Sequence, residues 1–146
     1  MLRLTRLHDS DLAQLEVALD AANLPYDDVR EAGRLFYSSG EGELAFVGME
    51  IFGADALLRS LVVPSAARGK GLGKSIVEAL AVEAKKIGIE RLWLLTTTAA
   101  DFFAAIGFEP AARPEAPRKI QTTREFRDLC PASAAFMKLD LTRAHQ

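Results

Sequence analysis

The stretch Leu61-Val62-Val63-Pro64-Ser65-Ala66-Ala67-Arg68-Gly69-Lys70-Gly71-Leu72-Gly73-Lys74-Ser75 decides how this chain is read. An apolar run from Leu57 stops at Pro64, which has no N–H to give a strand ladder. After a short bend, Arg68 to Gly73 lead into a segment of helical periodicity. Three glycines in five residues let the backbone turn tightly and leave its N–H groups unshielded. Those groups lie at a helix N-terminus, where the macrodipole also favours negative charge. Arg68, Lys70 and Lys74 add formal positive charge. The stretch reads as a cradle for phosphates.

Three glycine patterns compete for it. A P-loop ends in Gly-Lys-Ser/Thr with another glycine five positions earlier. Gly73-Lys74-Ser75 supplies the end, but Arg68 stands where the first glycine belongs. A dinucleotide fingerprint needs Gly-x-Gly-x-x-Gly, and Gly73 comes one residue early for it. The third pattern, Arg/Gln-x-x-Gly-x-Gly/Ala, is met in full by Arg68 to Gly73. For the hexapeptide by itself, an ordinary Gly-rich turn before a helix is the plain alternative, so the surrounding elements must decide.

Working outward, Leu2 to Leu7 suggests a first strand of about six residues. Asp9 or Ser10 can cap the following helix, whose stripe is Leu12, Leu15, Val17, Leu19 and Ala22. Pro25 ends it, and a second short helix is expected from Asp27 to Ala32. Leu35 to Ser39, Leu44 to Phe52 and Ala56 to Val63, separated by Gly-rich turns, read as a three-stranded antiparallel meander. Beyond the cradle, Leu72, Ile76, Leu80 and Ala84 make one face of a helix from Gly71 to Ile87. Ile89 to Thr97 is a buried strand. Strand, helix and strand form a βαβ unit whose strands should be parallel. Ala99 to Ile106 is a short helix. Residues 109–121, with Pro110, Pro114 and Pro117, are expected to be largely loop. Thr122 or Thr123 can cap a helix through Leu129, and Ser133 to Leu141 is a last strand.

The 146 residues suit a single domain spanning 1–146 with a substantial core. A net charge of −2 argues against a nucleic-acid footprint. One cysteine, Cys130, and two histidines leave no Cys-rich zinc site and no expected metal. No apolar run has signal-peptide or membrane-spanning length, so a cytoplasmic protein without membrane attachment is expected.

The two segments Val63 to Gly73 and Phe102-Phe103-Ala104-Ala105-Ile106-Gly107-Phe108 together resemble the GNAT N-acetyltransferases. The first matches that family's pyrophosphate signature and the second its aromatic-x-x-x-Gly-Phe segment. The resemblance implies an α/β (α+β) fold, a mixed sheet of about six to seven strands flanked by helices. It implies acetyl-CoA as cosubstrate and a small-molecule amine as acceptor. The family often dimerises through sheet edges, which leaves a homodimer open. Ala56 to Val63, Leu94 to Phe103 and Cys130 to Ala134 further resemble a small branch associated with arsenic-resistance operons. That likeness implies an amino-acid analogue or organoarsenical acceptor, of the kind of arsinothricin or phosphinothricin.

By the same resemblance, the backbone of Arg68, Gly69, Lys70, Gly71, Leu72, Gly73 and Lys74 would hold CoA phosphates. Leu61, Val62 and Val63 would offer backbone groups to pantetheine, with the Val63 region polarising the acetyl carbonyl, and Phe102 would contact the cofactor. The family often carries a tyrosine four residues before the Gly of Gly-Phe to protonate the thiolate. Here that residue is Phe103, which has no proton to give. Tyr37, Cys130 and Ser133 are the other candidate acids. Glu50, in an apolar strand, is the candidate base, with burial raising its pKa; the plainer alternative is an ion pair with Arg59 in the next strand. Arg59 could clamp an anionic acceptor or simply pair with Glu50. Thr97 is a candidate substrate contact. Phe103 also motivates a second reading, a catalytically silent acetyl-CoA-binding module.

Overall fold

The computed structural model describes residues 2–40, 44–65, 69, 71–123, 126–127 and 134–142. The strands are β1 (Thr5–Arg6), β2 (Arg34–Ser39), β3 (Ala45–Phe52), β4 (Asp55–Val62), β5 (Arg91–Thr96), β6 (Glu109–Pro110) and β7 (Ala135–Asp140). The helices are α1 (Leu12–Ala21), α2 (Leu72–Lys86), α3 (Ala100–Ile106) and α4 (Arg118–Gln121). The strands form one mixed sheet in the order β1-β2-β3-β4-β5-β7-β6. The expected meander is β2-β3-β4, antiparallel throughout. The expected βαβ unit is β4-α2-β5, with β4 and β5 parallel.

Strand alternation sorts the core onto two faces. On one, α2 lays Ile76, Val77, Leu80 and Ala84 against Val47, Met49, Leu58, Leu92 and Leu94, with Phe103 and Phe108 alongside. On the other there are two separate clusters. Leu12, Leu15 and Leu19 of α1 cover Phe36 and Phe46. Ala116 and Ile120 cover Leu57, Trp93 and Phe136. Each fully buried leucine here stabilises the fold by about 1.5–3 kcal/mol. Between the two clusters the sheet face is charged. Asp55 pins the parallel pair, its carboxylate accepting from Arg91 Nε at 3.0 Å and Trp93 Nε1 at 2.9 Å.

Several expectations are corrected. β1 has two residues, not about six. The start of α1 is not capped by the side chain of Asp9 or Ser10. A 3₁₀ turn, Asp9–Asp11, precedes the helix, and Asp11 reaches back to accept the His8 N–H at 2.9 Å. The helix expected over Asp27 to Ala32 is a run of turns, because Asp28 turns its carboxylate into the sheet to meet two arginines. Six residues carry too few intrahelical bonds to resist such a pull. Residues 109–121 are not largely loop. They hold β6, a 3₁₀ turn (Arg113–Glu115) and α4, driven by burial of Ala116 and Ile120. Pro114 and Pro117 sit at the starts of the two helical pieces, where a missing N–H costs nothing. The Thr123 hydroxyl does act as a cap, accepting the Phe126 N–H at 3.2 Å, and the Arg127 N–H bonds the Thr123 carbonyl at 3.0 Å; residues 124–125 and 128–129 of that expected helix lie outside the described residues.

Gly48 opposes Phe36 across β2 and β3, and the Phe36 ring occupies the space above it. A Cβ at Gly48 would lie 2.6 Å from Phe36 Cε1 and 3.1 Å from the Leu35 carbonyl. Gly48→Ala should therefore cost about 1–3 kcal/mol through overpacking. Urea unfolding measures it; an unchanged midpoint would mean that the ring has room to step aside.

Candidate active site

The site begins with one extra residue. Phe46 pairs with Val62 and Gly48 with Arg59, so two steps along β3 match three along β4. The surplus is a bulge at Ser60, whose φ is +61°. It reverses the alternation of the strand. Leu58 faces α2, yet so do Leu61 and Val63, while Val62 joins Phe46 on the α1 side. Short of the bulge β4 has already left β5. Their ladder runs only from Asp55–Arg91 to Leu57–Trp93, although β4 continues to Val62 and β5 to Thr96. The two strands splay.

A cleft of about 440 Å³ opens in the gap. One wall is Leu57 to Leu61, the other Leu94 to Thr96 with Thr97, Thr98 and Ala99; Phe102 and Phe103 close it at α3 and Asn23 to Pro25 at the end of α1. Backbone groups that no ladder uses line both walls, so an extended ligand can slot in as an added strand. The Thr96 hydroxyl accepts the Ala99 N–H at 3.0 Å, which starts α3 beside the opening.

The glycine-rich start of α2 meets this cleft. Gly69 and Gly71 have φ of +80° and +78°, and a Cβ on either would point into open space. At Gly73 a Cβ would lie 3.2 Å from Phe102 Cζ and 3.8 Å from Val63 Cγ2. The helix start is thus packed directly on the end of β4 and on the aromatic rim of the cleft. Within the first turn the Ser75 N–H already bonds the Gly71 carbonyl. The N–H groups before it have no intrahelical partner and offer an anion site.

Beneath the acceptor end lies a buried ionic cluster. Arg59 is 7 % exposed and commits each of its nitrogens. Nη1 donates to Asp28 Oδ2 at 2.6 Å and to Glu50 Oε1 at 2.9 Å. Nη2 donates to Asp28 Oδ1 at 2.8 Å and to the Pro25 carbonyl at 3.3 Å. Nε donates to Ser60 Oγ at 3.1 Å. Arg34 joins through Asp28 at 3.1 Å and Glu50 at 3.5 Å. The guanidinium of Arg59 also lies over the Phe36 ring, 5.6 Å from its centroid. Burial alone would push the Asp28 carboxyl up. The hydrogen bonds and charge of Arg59, then of Arg34, outweigh that and hold it below its ordinary value of 3.8.

A profile of the GNAT acetyltransferase domain matches residues 31–110, more than half of the chain. The chain belongs to the GNAT acetyltransferase family. No curated protein matches by sequence. Among solved structures, N-acetylglutamate synthase from Neisseria gonorrhoeae, complexed with coenzyme A and N-acetyl-glutamate, superposes with a TM-score of 0.76 at 20% identity. It covers 98% of this chain, which spans only 36% of the synthase. A GNAT-family acetyltransferase from Staphylococcus aureus gives 0.71 at 16% identity, covering 97% of this chain and 100% of its own. An aminoglycoside 6'-N-acetyltransferase complexed with coenzyme A gives 0.73 at 14% identity, covering 99% and 100%. These likenesses extend the GNAT fold over essentially the whole chain.

Within this GNAT fold, the structure brings Leu61, Gly73, Phe102 and Thr97 to the cleft or its edge, with Gly71 two residues before Gly73 at the start of α2. Leu72 is half-buried against the core, and Lys74 is exposed on the first turn of α2. Arg68, Lys70, Cys130 and Ser133 lie outside the described residues. Three expectations are redirected. Tyr37 is not among the cleft residues; it sits in the core beneath α2, where burial and then the charge of Glu83 raise its pKa, against a smaller effect of Arg6. Glu50 does not line the cleft either, being paired with Arg59 and Arg34. Arg59 lines it but has its donors committed. Sequence reasoning missed Asp28, Arg34, Pro25 and the Ser60 bulge. An acidic residue near the start of an expected helix was the one signal for Asp28, and it pointed to no partner. Among the described residues, no cluster of His, Cys, Asp or Glu suits a metal, and no helix is long and apolar enough to cross a membrane.

Asp28 should leave a stability signature in acid. Its folded pKa lies below its unfolded one, so its contribution is complete above 3.8 and is lost as the pH falls through the folded value. Asp28→Asn should cost about 3 kcal/mol at neutral pH, because it uncouples a buried charge. The gap to the parent should close on going below 3.8. Urea unfolding across that range checks both; a gap that persists unchanged to the acid end would remove Asp28 from the ion pair.

Proposed function

We propose that this chain transfers the acetyl group of acetyl-CoA to the primary amine of a small molecule. The observation that carries the reading is the β4–β5 ladder stopping at Leu57–Trp93, with the glycine-rich start of α2 packed at the resulting cleft. The α2 N-terminus and the loop before it would take the CoA pyrophosphate, and the splayed edges would take pantetheine. Backbone groups near Leu61 to Val63 would meet the thioester carbonyl and favour its developing negative charge. The amine would enter from the side of Asn23 to Pro25. Its nitrogen bonds the acetyl carbon, the carbon–sulfur bond breaks, and the electron pair leaves on sulfur. Holding amine and thioester together supplies much of the rate.

For the acceptor, the reading favours an amino-acid analogue or organoarsenical of the arsinothricin and phosphinothricin kind. Its support is the likeness of Ala56 to Val63 and Leu94 to Phe103 to the arsenic-associated branch. The N-acetylglutamate synthase neighbour, bound to N-acetyl-glutamate, agrees in class. The commitment of Arg59 to Asp28 and Glu50 takes away the clamp expected for the acceptor's anion, which leaves Asn23, Thr97 and Thr98 among the polar side chains at the described mouth. The enzyme is taken as cytoplasmic. Pairing through a sheet edge would have little to work with, since β1 and β6 are two residues each. Phe103 favours a second reading, a silent acetyl-CoA-binding module.

Gly71→Glu should abolish acetyl-CoA binding while leaving the fold, since it sets a carboxylate and a strained backbone in the cradle. Calorimetry decides it, and unchanged affinity would overturn the cradle. CoA release should be seen with at least one amine from a panel of arsinothricin, phosphinothricin, amino acids, polyamines and a lysine peptide. Acetyl-CoA binding with no turnover on any of them would favour the silent module.

A further inference from the structure

The buried cluster offers more than an ion pair, because its partners belong to opposite sides of the cleft. Asp28 and Pro25 lie on the segment after α1 that forms the acceptor wall. Ser60 is the bulge at which β4, already parted from β5, shifts register, and it lies on the acyl wall. Arg59, the residue before it on the same strand, holds the first pair with its terminal nitrogens and is oriented by the Ser60 hydroxyl through Nε. Glu50 and Arg34 join the same cluster, with Glu31 3.8 Å from Arg34 at its exposed edge. Ser60 itself is telling. A left-handed backbone costs a non-glycine residue roughly 1–2 kcal/mol, and glycine would be free of that cost. Serine at this position supplies the one oxygen that Arg59 Nε meets.

We infer that Arg59 is a positioning residue that sets the distance between the acceptor wall and the acyl wall, with Asp28 and Ser60 as its two handles. This rests on the acetyltransferase reading of the cleft. The fork of a guanidinium is suited to the task, because it fixes direction as well as distance at both partners. The consequence is a separation of effects. Cutting the Asp28 handle frees residues 23–31 and leaves the acetyl-CoA side in place. Cutting the Ser60 handle loosens the bulge and leaves residues 23–31 in place.

Asp28→Asn and Ser60→Gly in the full chain test this. Glycine at position 60 can adopt the same left-handed backbone, so Ser60→Gly folds even if Asp28→Asn does not, but it removes the hydroxyl and the side chain that restrain the bulge. Hydrogen exchange on the ligand-free protein needs no acceptor and is the deciding readout. The amides of Leu24 and Glu31, bonded to the Leu19 and Asp28 carbonyls, should exchange at least tenfold faster in Asp28→Asn, with α2 within twofold of the parent. In Ser60→Gly they should stay within twofold. Acetyl-CoA Kd by calorimetry should stay within twofold in Asp28→Asn and rise at least threefold in Ser60→Gly. With the fastest amine of the panel, KM should rise at least tenfold in Asp28→Asn with kcat changed less. Uniform loss of protection, or the same pattern in both variants, would overturn the inference and leave Arg59 a general stabiliser. A parent protein that binds no acetyl-CoA would overturn the functional reading instead, and the exchange pattern would still decide whether the two handles are separate.

Discussion

One surplus residue in β4 governs the molecule's working part. Without it, β4 and β5 would continue as an ordinary parallel pair to their ends, and every backbone group between them would be spent on the ladder. With Ser60 in a left-handed conformation, pairing to β3 resumes one residue out of step, and pairing to β5 ends at Leu57 and Trp93. The strand keeps its covalent path but changes which residues face which layer. Leu61 and Val63 turn to the α2 side, where Val63 packs towards the Gly73 backbone, and Val62 turns to α1. A cleft at the centre of a sheet is costly, since it forgoes ladder bonds in the best-packed place. That cost is met by pinning the paired half firmly, through Asp55 to Arg91 and Trp93, and by packing both faces elsewhere.

The charged cluster belongs to the same logic. Burying two cations and two anions is a poor way to gain stability, since desolvation offsets most of their attraction. A hydrophobic residue at Arg59 would join the gap between the α1 cluster and the Ala116–Ile120 cluster into one continuous core. It would also lose direction. Four polar partners on three chain segments hold one guanidinium, and through it a loop, a bulge and a central strand, in a single arrangement. That trade of stability for geometry suits a site in which two ligands must meet.

How much of this was legible in the sequence differs by range. Local rules carried the scaffold: turn glycines located the β2-β3-β4 meander, the Leu72-Ile76-Leu80-Ala84 stripe located α2, and the cradle followed from Gly69, Gly71 and Gly73. The site's floor depended on contacts that no local rule reports. Asp28 meets Arg59 across thirty-one positions, and its neighbourhood looked helical because Asp is a good first-turn residue. The Ser60 bulge was invisible because serine rarely signals a positive φ, and the strand around it reads as one apolar run interrupted by Arg59 and Ser60. Glu50 was singled out for the right reason, a charge in an apolar strand. The plainer alternative weighed for it, an ion pair with Arg59 on the next strand, is the one that forms; what alternation within one strand could not supply was Arg34, opposite it on β2.

The proton remains to be accounted for. Phe103 stands where the resemblance would place a donor, and it is buried edge-on against Phe102 and Phe108. Among the described cleft residues Arg59 is the only one with a side chain that titrates, and a guanidinium bonded to two carboxylates neither gives nor takes a proton near neutral pH. Transfer on this framework therefore leans on the reactants. A thiol with a pKa of about 8.5 leaves as thiolate without assistance, and an amine that arrives neutral needs only to pass its proton to solvent or to the departing sulfur once the N–C bond has formed. On the acetyltransferase reading, positioning and carbonyl polarisation are then what the described cleft residues contribute, with Ser60 and Arg59 fixing the geometry for both; Cys130 and Ser133, the other candidate donors, lie outside the described residues.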